Sequence, residues 1–137
     1  MTWYRFLSAV CLVASIAVIV TAFRLDPDPR GFGTHEQLGI PPCGFLRDHG
    51  VPCISCGMTT AFAAMAHARP GLAIRSNPFG VLLFLLTLAA PVYFVHALVK
   101  DLDPFRILQT RRAAVILPML GVLLLVNWGV MVLIASA

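Results

Sequence analysis

The chain has 137 residues, of which 59% are hydrophobic and only 12% charged, and it carries a formal net charge of +4. Soluble domains average about 45–50% apolar and about 25% charged residues, so this composition excludes an ordinary soluble globular protein and places the chain in a membrane. The length allows one small domain, and no period of about 20 to 50 residues recurs, which excludes a solenoid or an internal duplication.

A bilayer core of about 30 Å needs roughly 20 helical residues, and three charge-free stretches are long enough. The first, Phe6–Phe23, lies between Arg5 and Arg24, with Trp3 and Tyr4 placed for an aromatic belt at the interface. It is expected to be an anchor. A cleavable signal peptide is the alternative, with Val20 and Ala22 as a weak cleavage site, but a run of 18 residues exceeds the usual apolar core of about 7 to 15. Residues 24–78 then form a long first loop. From Arg24 to Pro42 it is dense in Pro and Gly and predicts an irregular path along the surface.

Further along this loop, Met58, Ala61, Phe62 and Met65 recur at steps of three and four. This predicts a short helix over residues 58–67, amphipathic or re-entrant, with Thr60 on the side away from the buried stripe. Pro70 and Gly71 are expected to end it. Ser76 and Asn77 offer caps for the second span, Phe79–Val99, with Pro78 at the first helical position and Pro91 expected to kink it. The third span, Ala113–Ala137, contains Pro118, Gly121 and Gly129. Its one strongly polar side chain, Asn127, is expected to hydrogen-bond to another helix.

The connection from Lys100 to Arg112 holds Lys100, Arg106, Arg111 and Arg112 within 13 residues, which predicts a cytoplasmic loop. Threading back puts the N-terminus in the cytoplasm and the Cys-bearing first loop on the outer face of an inner membrane. That loop has five arginines, partly offset by Asp26, Asp28, Glu36 and Asp48. The expected fold is an all-α multi-pass membrane protein, with three transmembrane helices plus the short helix in the first loop.

Cys43, Cys53 and Cys56 lie in that loop, whereas Cys11 reads as a small apolar residue of the first span. Three readings of the trio stand side by side. A disulfide suits an oxidising face but leaves one thiol over. Zinc uses all three, with His49 or His67 as the candidate fourth ligand and Cys53 and Cys56 at a familiar spacing. Redox chemistry would use Cys53 and Cys56 as the catalytic pair, because the N-terminus of the short helix lowers the pKa of a neighbouring thiol. Both cysteines precede the helix, however, and no alternating strand and helix pattern surrounds them.

The run Cys43, Gly44, Phe45, then Gly50-Val-Pro-Cys53-Ile-Ser-Cys56-Gly57-Met-Thr59, then Asn77-Pro78 resembles the small bacterial membrane proteins grouped as domain of unknown function 2752. The resemblance covers Cys43 to about Val99 and points to Gly57, Thr59, Asn77 and Pro78 as structural positions. Gly44 and Ile54 stand where the family commonly has Pro, and Thr60 where it commonly has Arg, so an anion held by that Arg in relatives would have no partner here. The resemblance implies an integral membrane protein with a Cys-rich element and brings no reaction.

Three function classes follow: a binding or structural module held by the Cys cluster, a membrane thiol oxidoreductase exchanging electrons with a quinone or a partner thiol, and a transporter or channel accessory subunit. The spans contain no carboxylate and no Lys or Arg, and His96 is their only ionisable nitrogen, which disfavours the third. There is no phosphate-cradling Gly-rich loop and no Gly-x-Ser-x-Gly elbow. Juxtamembrane arginines explain the basic balance, so the expected partners are the lipid bilayer and another membrane protein or a second copy of the chain, and no nucleic acid.

Overall fold

Inside a bilayer no water is available to backbone N–H and C=O groups, so apolar runs of this length fold as helices that satisfy themselves. In the computed structural model, which describes residues 3–136, the elements are α1 (Trp3–Arg24), a 3-10 turn (Thr34–Leu38), α2 (Gly44–His49), α3 (Met58–Ala66), α4 (Pro70–Ser76), α5 (Pro78–Val99), a second 3-10 turn (Pro104–Gln109) and α6 (Arg111–Ser136). Three stretches are long and apolar enough to cross a membrane: Trp3–Arg24, Pro78–Val99 and Ala113–Ala135. The Ala137 end of the third expected span lies outside the described residues. At ~1.5 Å per residue a helix of about 22 residues covers about 33 Å, enough for the hydrocarbon core.

The tightest pairing of long helices is α1 against α5. The buried residues of α1 are Ser8, Ser15 and Ala22, which recur every seven positions and form a seam of small side chains, so the two backbones approach closely. Ser8 Oγ donates to the Tyr4 carbonyl at 2.6 Å and Ser15 Oγ to the Leu12 carbonyl at 2.8 Å, so neither hydroxyl is left unpaired at membrane depth. Helix continues through Pro91 in α5 and Pro118 in α6. At the end away from the cysteines, Asp101 accepts from Tyr4 Oη at 3.2 Å and pairs with Arg5 at 3.7 Å, tying the start of α1 to the basic loop after α5.

Four expectations for the first loop change. The stretch from Arg24 to Pro42 includes an ordered 3-10 turn, closed at both ends by Gly33 and Gly39 in left-handed conformation. The six residues after Cys43 are helical. Pro70 does not begin a loop: it occupies the first turn of α4, where its missing N–H costs nothing. Between α3 and α4 the chain reverses at Ala68, a left-handed residue with φ 54°, and the Arg69 N–H closes back on the Ala64 carbonyl at 2.8 Å.

The fourth change concerns Thr60, which is fully buried and does not face outward. Helix α3 sits between α1, α4, α5 and the first 3-10 turn, and the side it buries is the small one, whereas Met58, Phe62 and Met65 of the expected stripe are only partly buried. Small residues make this possible. Ala61, Ala63 and Ala64 are completely buried, and Gly80 of α5 approaches so closely that a Cβ there would stand 3.0 Å from the Ala61 methyl.

Candidate functional site

The cysteines stand on a framework of polar contacts at one end of the bundle. Asn77 is fully buried and caps α5, its Oδ1 accepting the Gly80 N–H at 2.9 Å. The other end of the same amide donates to the Cys56 carbonyl at 3.0 Å. Asn127 of α6 completes the arrangement: its Nδ2 donates to Asn77 Oδ1 at 3.2 Å, and its Oδ1 accepts the Phe79 N–H at 3.2 Å. One residue on, the Trp128 indole N–H donates to the Pro52 carbonyl at 2.9 Å. The Cys-x-x-Cys segment is therefore pinned at both ends, by α5 at Cys56 and by α6 at Pro52. The interhelical role expected of Asn127 is present, and it extends to the cysteine segment.

Gly57 is required where it stands. Its φ is 74°, and a Cβ there would run into the carbonyl oxygens of Ser76 and of Gly31, the latter at 2.7 Å. Its own carbonyl accepts the Ala61 N–H at 2.8 Å, which starts α3. On the other side of α3, Thr60 Oγ1 and Thr34 Oγ1 share a buried hydrogen bond of 2.9 Å, and Thr34 Oγ1 also accepts the Asp28 N–H at 3.0 Å. Thr60 is thus half of a neutral hydroxyl pair that fastens the first 3-10 turn to α3.

Cys43, Cys53 and Cys56 line one cleft of about 370 Å³, together with Thr59, Thr60 and His35. The Cys53–Cys56 segment is a tight turn, with the Cys56 N–H on the Cys53 carbonyl at 3.0 Å. Cys43 precedes α2, and its sulfur lies toward the Leu46 and Phe45 N–H groups and the Cys53 thiol without closing a capping hydrogen bond. The Leu46 N–H, foremost, holds the Cys43 thiol below its ordinary value. Burial, and then the neighbouring Cys53 and Cys43 sulfurs, push the Cys56 thiol up to about 11. The helix-start effect expected to activate Cys56 is thus outweighed, because Gly57 occupies the position next to the helix and Cys56 lies deeper among groups that are negative when ionised.

All four cysteines are free thiols. Among the described residues no group of three or more His, Cys, Asp or Glu side chains stands close enough to hold a metal ion. The two histidines named from sequence lie elsewhere: the His49 ring packs on Phe45 with centroids 4.8 Å apart, and His67 closes the far end of α3, its Nδ1 2.9 Å from the Ala63 carbonyl. His35 is the histidine at the cleft. No spacing signal marked it, because it arrives through the fold of the Pro/Gly-rich stretch. Thr59 borders the cleft and also a neighbouring apolar groove of about 350 Å³ between α1 and α3.

Residues 43–90 match the model of a family described as protein of unknown function, DUF2752. The matched segment contains the whole Cys-bearing part of the site, from Cys43 through α2, the Cys53–Cys56 turn, α3 and α4 to Asn77 and the first half of α5. Outside it lie His35, at the cleft, and Thr34, Asn127 and Trp128, which brace the matched segment from the rest of the chain. No curated protein and no solved structure matches the chain.

Proposed function

We propose that this protein is a membrane-embedded binding or structural module whose Cys-bearing end is held by a cluster of Cys43, Cys53 and Cys56. The observation that carries this reading is the cleft: cysteines from two separate turns line one cavity. The backbone behind two of them is fixed by Asn77 and Trp128. Anchored polar contacts at membrane depth hold a site in a defined geometry, which serves binding or bracing. The cluster closes by a disulfide, or by a soft metal such as zinc once the sulfurs converge further, with His35 the nearest imidazole.

In this reading the cleft faces outward from an inner membrane, since the opposite end carries Lys100, Arg106 and Arg111 in a short loop. The bundle serves another membrane protein or a second copy of itself. The second reading, a thiol oxidoreductase, draws support from Cys43, whose thiol is held low.

Metal content and free-thiol count, measured on protein purified without reductant, test the proposal. Near-stoichiometric zinc or one intramolecular disulfide supports a cluster. Three free thiols with no metal, together with additive stability losses across the single, double and triple Ser replacements, would overturn it. A membrane-impermeant thiol reagent applied to intact cells tests the orientation: labelling of the reduced cysteines only after lysis would reverse it.

A further inference from the structure

Thr59 of α3 stands where two cavities meet. One is the thiol cleft of about 370 Å³, and the other is the groove of about 350 Å³ between α1 and α3. Each falls in the usual range for a small-molecule site, about 300–1,000 Å³. The groove follows α1 from Ala17 to Leu25, about 12 Å at ~1.5 Å per residue. Toward the middle of this spanning helix Ala17 and Val18 are exposed, so the groove opens to the acyl region of the bilayer.

The second observation is the Thr59 hydroxyl. Among the described side chains every other Ser and Thr hydroxyl has a hydrogen-bond partner, from Ser8 in α1 to Thr110 before α6. Thr59 has none, although it is partly buried. A helical Thr ordinarily bonds back to the carbonyl three or four residues earlier. Here those residues, Ser55 and Cys56, precede α3, and their carbonyls already accept from the Met58 N–H and the Asn77 amide. A free donor therefore stands at the boundary between an apolar groove and a polar cleft.

We infer that groove and cleft form one site for a long-chain quinone of the bilayer, its chain along α1 and its ring at Thr59, beside the thiols. This rests on the binding reading above and names the class of ligand. Leu25, Leu38, Met58 and Phe62 give the groove the apolar wall that such a chain needs. Apart from the cysteines and His35, neither cavity is lined by an ionisable side chain, so the charged headgroup of a phospholipid would lose its water there without gaining a counter-ion. A quinone ring is uncharged, and its carbonyl oxygen accepts the Thr59 hydroxyl. The groups brought together are also matched in chemistry, since thiol–disulfide and quinone–quinol are both two-electron, two-proton couples.

The test uses the full chain in lipid nanodiscs, where phospholipid in excess is itself a competitor. A photoreactive azidoquinone carrying a decyl chain is crosslinked with and without unlabelled decylubiquinone, and the adducts are mapped by peptide mass spectrometry. Labelling of the peptides that hold residues 17–25 and 58–62, removed by the unlabelled compound, is expected. Thr59→Val should weaken binding about tenfold and leave the thermal unfolding midpoint unchanged, because the hydroxyl bonds nothing within the protein. Ala17→Phe, at an exposed position of the groove wall, should abolish the labelling. Labelling that decylubiquinone does not displace, or that falls on α6 as heavily as on α1 and α3, would mean that the groove holds bulk lipid and would overturn the proposal. Undiminished binding in Thr59→Val would overturn it as well. None of these outcomes changes the metal content or the thiol count that test the cluster, so the two readings fail separately.

Discussion

Helices α3 and α6 are both apolar, yet they are treated in opposite ways. Of the nine residues of α3, the small Thr60, Ala61, Ala63 and Ala64 are buried. The 26 residues of α6 leave Val122, Leu125, Val126 and Ile134 more than half exposed. In water the larger side chains would be the ones driven inside. In a bilayer the lipid is as apolar as leucine, so hydrophobicity no longer sorts helices, and close backbone approach plus hydrogen bonding does. Small Ala and Thr residues therefore take α3 to the centre, while α6 keeps its bulk toward lipid and joins through Asn127 and Trp128.

The residue where the two regimes meet is Asn77, and removing it should have the largest effect. Asn77→Ala leaves the Cys56 carbonyl, the Gly80 N–H and the Asn127 amide without their partner, at a combined cost of about 3 kcal/mol. Thermal unfolding in detergent should show this, together with faster alkylation of Cys56; an unchanged midpoint would mean that the two helices are joined elsewhere. Next in size, Ala64→Leu should cost about 2 kcal/mol by overpacking. On α6, Val122→Leu should stay within about 0.5 kcal/mol. Equal costs at the two positions would erase the contrast.

Trp128→Phe keeps the ring but loses the bond to Pro52 and should cost about 1 kcal/mol, read by the same melts. A further effect is in pH dependence. Between pH 9.0 and about 11 the unfolded chain gives up the Cys56 proton while the folded chain retains it, so stability falls as pH rises through that window. Cys43, held low, acts in the opposite sense: its contribution is present above the ordinary thiol pKa and is lost as pH falls through its folded value. Cys56→Ser should flatten the alkaline limb and Cys43→Ser should not; identical profiles would remove the distinction drawn between the two sulfurs.

Much of this architecture was legible in the sequence, for reasons that particular residues make plain. Charge-free runs define spans because a bilayer tolerates no alternative. Asn77-Pro78 announces a helix start because an amide side chain and a missing N–H both suit a first turn. Gly57 stood out as a structural position, and the positive φ it supplies is the reason. Thr60 was misread because periodicity on one helix reports only the strongest apolar stripe, and its hydroxyl partner, Thr34, is 26 residues away. Pro70-Gly71 looked like a terminator, although proline stops one helix and starts the next equally well. The seam of Ser8, Ser15 and Ala22 was there to be found: a seven-residue period of small residues is a packing signal that composition averages out.

The clasp made by Asn127 and Trp128 also sets an order of events. Cys43, Cys53 and Cys56 leave the ribosome well before either clasp residue exists. At ~5–20 residues per second, the roughly 70 residues between Cys56 and Asn127 take about 4 to 14 s to synthesise. During that interval the turn carrying Cys53 and Cys56 has α5 forming beside it but nothing to hold Pro52. The geometry of the cleft is thus completed late, when α6 is inserted, and a chain stopped short of Asn127 would carry all three thiols on a segment fastened at one end only.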